Sequence, residues 1–175
     1  VQVLAHEAGM RITFPRKAIA ASIRASLSKA EATTIKNVKK MAQDTLEYAA
    51  RVSPQWTGTF AANWRLSIDK PRPGNSADTV ARKIDRVTPR YEEGDQWAIN
   101  KATGSSGAAL SGLRLGQAIY LSTRATNSDG EEYHWDVEAG LIRFRKDNPT
   151  ARANKGRILE LAKAHLRAQY AGKIR

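Results

Sequence analysis

The stretch PRKAIAASIRASLSKAEATTIKNVKKMAQDTLEYAARVSP, residues 15–54, decides the fold. No glycine or proline interrupts it between Pro15 and Pro54, and Pro15 suits the first turn of a helix. The residue before Pro54 avoids the α region, which ends the helix there. The larger apolar residues recur at steps of three and four, the helical period: Ile19, Ile23, Leu27, Ile35, Val38, Met41, Ala42 and Leu46. The sequence therefore predicts a helix over 15–52, about 55 Å long.

A helix of this length has a longer apolar stripe than the core of a 175-residue chain can cover. We expect part of its apolar stripe to contact another protein chain, and a helix packed wholly on its own sheet is the alternative. Small and polar residues fill the stretch between Leu27 and Ile35. They predict a bend or a break at this point.

Strand patterns follow the helix. Trp64, Leu66 and Ile68 alternate with polar residues before Pro71, which is typical of a half-buried strand. Residues 118–123 and 133–137 have the same character, and the Asp129-Gly130 dipeptide between them favours a turn. The last two strands are therefore compatible with a hairpin.

The remaining segments complete one α+β domain spanning 1–175. A short amphipathic helix is predicted over 78–87, and a C-terminal basic helix lies within 157–175, its helical core at 157–171. Residues 1–14 form an N-terminal arm, and the Gly/Ser-rich stretch within 100–116 indicates a flexible loop. The expected architecture is a long N-terminal helix and a C-terminal helix packed on a small, mostly antiparallel β-sheet, with an inserted short helix and loops.

The charge is strongly basic and unevenly distributed. Lys and Arg number 29 against 17 Asp and Glu, a net charge of +12. Residues 141–175 alone carry ten basic and two acidic groups, a net +8. Clustered cations either decorate solvated helix faces or meet phosphates or an acidic protein. The candidate interface residues of this basic surface are Arg143, Arg145, Lys146, Arg152, Lys155, Arg157, Lys163 and Arg167.

Composition excludes several classes of protein. The chain has no cysteine, which excludes disulfides, thiolate zinc sites and cysteine nucleophiles. Its apolar runs are too short for a membrane span, and the N-terminal residues do not resemble a secretory signal. We therefore expect a protein made in the cytoplasm that has no membrane partner.

Catalytic patterns are missing from the sequence. The histidines His6, His134 and His165 are scattered, and no nucleophile elbow, phosphate-binding glycine loop or dinucleotide fingerprint is present. We expect no catalytic residue, no cofactor and no metal site. Trp56, Phe60 and Trp64 are compatible with base stacking, but core packing beneath the long helix is the favoured interpretation.

The segment SPQWTGTFAANW, residues 53–64, directly follows the long helix and resembles a motif of the bacteriophage neck and tail-completion (tail-component, head–tail joining) family. Pro54, Thr57, Gly58, Asn63 and Trp64 match that motif, whereas Trp56 stands where aspartate is usual. The strand at 118–121, then Tyr133 and the Glu-x-Gly at 138–140, resemble the second half of the family pattern. Thr57-Gly58 also has a plain structural use, a tight reversal with Gly58 at positive φ.

The resemblance implies a non-catalytic virion protein that joins the head to the tail as a homo-oligomeric ring at the neck. Its partners would be portal or adaptor proteins and tail proteins, with genomic DNA passing through the channel. The motif residues would then be architectural. A tail terminator or minor tail protein is the nearest alternative. A sequence-independent nucleic-acid-binding domain is more distant, and a basic nuclease more distant still.

Overall fold

The computed structural model describes residues 15–53, 58–71, 96–104, 106–123 and 157–172. Its elements, in chain order, are α1 (Arg16–Val52), α2 (Thr59–Ala62), β1 (Trp64–Ile68), α3 (Gln96–Gly104), α4 (Ser106–Ala109), β2 (Ile119–Thr123) and α5 (Ile158–Tyr170). The fold is mixed α+β and mostly helical, with a small antiparallel sheet. The predicted fold class is therefore confirmed.

The long helix forms as the apolar spacing predicts. The carbonyl of Pro15 accepts the first helical bond, from the N–H of Ile19 (3.1 Å). The helix is unbroken through 28–34, where the hydroxyls of Thr33 and Thr34 bond back to carbonyls four residues earlier. The predicted break is therefore absent from this stretch, and side-chain bonds of this kind occur within a continuous helix.

Contacts divide the chain into two compact units, Val1–Thr34 and Ile35–Arg175, so that α1 contributes to both. The described part of the first unit is helical, and its side chains are exposed throughout. All the buried apolar residues of the described chain lie in the second unit.

Strands β1 and β2 pair antiparallel with a fixed register. Trp64 lies opposite Thr123 and Ile68 opposite Ile119. Trp64 and Leu66 alternate with less buried residues along β1, as period two requires. Both strands were predicted, although the described partner of β2 is β1 and not the expected hairpin strand at 133–137, which lies outside the described residues.

The main core lies where the C-terminal half of α1 meets the sheet and α5. Leu46, Trp64 and Ile158 are fully buried there. A second cluster joins α2 to α3 through alanines and the partly buried Trp97. Phe60 and Trp64 form an edge-to-face pair with ring centroids 5.9 Å apart, and both are buried. Core packing is thus confirmed as the role of these two aromatic residues.

The loop predicted over 100–116 is wrong for most of its length. Helix α3 reaches Gly104, α4 occupies Ser106–Ala109, and turns follow to 112. Ala102, Leu110 and Leu113 are buried, so this segment belongs to the core. The predicted arm (1–14), the short helix (78–87) and residues 173–175 lie outside the described residues.

Candidate assembly surfaces

An exposed apolar stripe runs along the first unit. Ile19, Ile23 and Leu27 recur at every fourth residue and expose 44%, 54% and 64% of their surfaces. At about 100° per residue they fall within an arc of about 80° on one side of the helix. We call these three residues the α1 stripe.

The surroundings of the α1 stripe are basic. Residues 15–34 carry four cations (Arg16, Lys17, Arg24 and Lys29) and one carboxylate (Glu31), a net +3. Helical geometry places Lys17 and Arg24 beside the edge of the stripe nearest Leu27. The opposite edge has Ser22 and Ser26, which are small and polar.

Residues 15–34 extend α1 beyond its buried C-terminal part. Most helical stability in proteins comes from packing an amphipathic face. Every side chain from 15 to 34 is exposed, which leaves the α1 stripe available for such packing. Burying the exposed halves of its three side chains would contribute about 2–5 kcal/mol.

The C-terminal basic helix contributes three of the predicted interface residues. Arg157 lies 3.7 Å from Glu160, both well exposed, a pair that contributes little to stability. Lys163 and Arg167 are exposed one turn apart on α5. The predicted residues Arg143, Arg145, Lys146, Arg152 and Lys155 lie outside the described residues.

A hydrogen bond and an aromatic stack connect α5 to α1 within the second unit. The Tyr170 hydroxyl donates a short hydrogen bond to Oδ2 of Asp44, and this bond raises the pKa of Tyr170, with burial and the negative charge of Asp44 adding to the effect. The rings of His165 and Tyr48 stack at 4.0 Å with an interplanar angle of 7°. The sequence gave no sign that Asp44, Tyr48 and His165 would make contacts between these two helices.

The motif after α1 builds a turn between the helix and the sheet. Gly58 has φ 75°, in the left-handed region, as the sequence predicts. Asn63 is buried and its Nδ2 donates to the carbonyl of Thr59 (2.7 Å). Nε1 of Trp64 donates to Oγ of Ser53 (2.7 Å), a bond that sequence reasoning missed. Pro54 and Thr57 lie outside the described residues.

Within the described ranges the structure holds no group of three or more His, Asp or Glu side chains suited to a metal ion. None of the helices described there has the length and apolar character needed to cross a membrane.

Comparison with known proteins gives no relative from which to assign this chain. No family model, no curated protein and no solved structure matches it.

Proposed function

We propose that this chain is a structural, non-catalytic protein of a bacteriophage particle that joins the head to the tail as part of a ring at the neck. The observation that carries the proposal is the α1 stripe, whose apolar side chains stay exposed on the part of α1, residues 15–34, in which every side chain is exposed. The resemblance of residues 53–64 to the neck and tail-completion family supports assigning that surface to contacts at the neck.

The energetics of the α1 stripe favour a repeated assembly. Burial of its side chains would supply about 2–5 kcal/mol, whereas association of two proteins costs about 4–15 kcal/mol in lost freedom. One such contact therefore gives only weak binding between two chains. A closed ring repeats the same contact at every subunit, so weak contacts add up to a stable joint.

The second unit supplies a rigid body for such a ring. Ser53 and Trp64 fix the end of α1 to the start of β1, and Tyr170 ties α5 to α1. The exposed cations Lys163 and Arg167 on α5 then offer a basic surface to DNA or to an acidic neighbour. In this proposal the matched motif residues hold the turn and take no part in chemistry.

The experiment is antibody labelling of particles from cells that produce the chain, using antibody raised against the purified protein. We expect label at the junction between head and tail. Label at the distal or lateral surface of the tail would replace the neck assignment with that of a tail terminator or minor tail protein. Unlabelled particles, or digestion of DNA by the pure protein, would overturn the proposal.

A matched pair of variants tests whether the α1 stripe makes the contact. The triple variant Ile19→Ser, Ile23→Ser, Leu27→Ser should fold normally and leave heads and tails unjoined when it replaces the wild type. Leu115→Ser is the control, because Leu115 is 52% exposed but lies outside the stripe. Equal numbers of joined particles from the triple variant and the control would contradict the role of the stripe.

A further inference from the structure

We infer that the α1 stripe binds an acidic amphipathic helix of a different protein and not a second copy of this chain. This rests on the proposed function only in taking the stripe as an assembly contact. It adds the chemical class of the partner, which follows from the charges beside the stripe.

One edge of the stripe has a mostly cationic border of Lys17 and Arg24, which also includes Glu31, and the other edge has Ser22 and Ser26. Arg16, Lys17 and Arg24 lie along the half of the segment that holds Ile19 and Ile23, and the one carboxylate of residues 15–34, Glu31, comes after Leu27. A partner that buries the stripe must bring its own side chains close to these cations. Carboxylates there would form ion pairs and speed encounter, whereas cations would repel.

A second copy of the same segment fits this border poorly. Two copies of residues 15–34 bring a net charge of +3 each to one contact, and parallel copies without stagger place Arg24 beside Arg24 and Glu31 beside Glu31. Like charges directly opposed across an interface are destabilising. The charge pattern therefore favours a partner with an apolar stripe and flanking Asp or Glu.

The width and composition of the stripe disfavour other anionic partners. Helices that lie in membrane interfaces bury a broad apolar face that includes aromatic residues. Residues 15–34 have no aromatic side chain, and their large apolar residues span only about 80°. Duplex DNA would use the cations and leave Ile19, Ile23 and Leu27 in water. An acidic amphipathic helix is the partner that both pairs with the cations and buries the α1 stripe.

The test is fluorescence anisotropy of the full chain with two labelled peptides, each about 20 residues long, which exceeds the roughly 12–15 residues below which isolated helices are marginal in water. Both carry the same leucine stripe at helical spacing. Glutamates flank the stripe in one peptide and lysines flank it in the other. We expect the glutamate peptide to bind at least about tenfold more tightly, with a preference that shrinks as salt rises.

Two variants with equal changes in net charge separate local pairing from the overall charge of the protein. Arg16→Glu, Lys17→Glu, Arg24→Glu should reverse the preference toward the lysine peptide. Lys36→Glu, Lys101→Glu, Arg114→Glu changes exposed cations of the second unit and should keep the preference for the glutamate peptide. Circular dichroism checks that both variants keep their helix content.

Four results would overturn the inference. They are equal binding of both peptides, no binding of the glutamate peptide, tighter binding to duplex DNA or to phosphatidylglycerol vesicles, and oligomers of the isolated chain that disappear in the Ile19→Ser, Ile23→Ser, Leu27→Ser variant. The inference and the proposed function can fail separately. Neck labelling without glutamate-peptide binding removes only the inference, and glutamate-peptide binding with unlabelled particles removes only the proposed function.

Discussion

Nε1 of Trp64 donates a hydrogen bond to Oγ of Ser53 at 2.7 Å, and both residues are fully buried. The same Ser53 hydroxyl donates to the carbonyl of Ala49 (2.6 Å) in the last turn of α1. The indole is thus connected to the end of the long helix through one hydroxyl group. These two hydrogen bonds fix where β1 begins relative to the C-terminal end of α1.

Ser53→Ala should destabilise the protein by about 1–3 kcal/mol, because it leaves the buried indole N–H without its acceptor. Urea unfolding followed by tryptophan fluorescence measures the change. Ser111→Ala is the control, since the Ser111 hydroxyl makes an exposed bond to the carbonyl of Ala108 (2.8 Å) and its loss should cost less than about 0.5 kcal/mol. Equal unfolding midpoints for the two variants would show that the hydrogen bonds of Ser53 do not stabilise the protein.

Gly58→Ala should destabilise the fold by about 1–2 kcal/mol, because a Cβ is strained at φ 75°. Gly107→Ala is the matched control. Gly107 lies in helix α4 with open space around its Cα, so alanine there should stabilise by about 0.5–1 kcal/mol. Thermal unfolding of both variants measures the two effects. A neutral Gly58→Ala would mean that the turn does not need its left-handed residue.

The elements with a clear period were predictable from sequence. Helix α1, strands β1 and β2, and helix α5 each repeat apolar residues at the spacing of their secondary structure. The positive φ of Gly58 followed from the need to reverse the chain between helix and strand. These features depend on residues close together in the chain, where a single sequence is informative.

The segment 100–116 shows where local composition misleads. Glycine and serine predicted a loop, but Ser106 is buried and its hydroxyl bonds to the carbonyl of Thr103 (2.6 Å). Ala102 and Leu110 join the main core. Tertiary burial overrides the weak propensity of such residues, and no single-sequence pattern reports that burial.

Contacts between distant residues were also beyond prediction. Asp44 and Tyr170 are 126 positions apart and meet only because α5 packs on α1. The α1 stripe was the part of the candidate surface that could be predicted, because its spacing and its excess over the core are both visible in the sequence. Its exposure needed the structure.

Thr123→Val should stabilise the fold by about 1 kcal/mol. Thr123 is buried opposite Trp64, and its hydroxyl has no hydrogen-bond partner among the described residues, so its burial costs free energy that a valine of the same shape avoids. Denaturant unfolding measures the gain. Thr103→Val is the control and should give no gain, because its hydroxyl donates to the carbonyl of Ile99 (2.9 Å). A loss of stability in Thr123→Val would refute the assignment of an unpaired hydroxyl.

Tyr170→Phe should lower the unfolding temperature at neutral pH, and the difference from wild type should shrink in alkali. The bond to Asp44 raises the pKa of Tyr170 in the folded state above the value near 10 of an unfolded chain. A raised pKa contributes stability that is complete below the unfolded pKa and is lost as the pH rises through the folded one. We therefore expect the difference in unfolding temperature between wild type and Tyr170→Phe to be constant from about pH 7 to 9 and to decline above about pH 10. Tyr120→Phe, which removes a partly exposed phenol on β2, is the control and should lower the unfolding temperature less at neutral pH. A Tyr170→Phe difference that stays constant up to about pH 11 would mean that the hydrogen bond to Asp44 does not stabilise the docked α5.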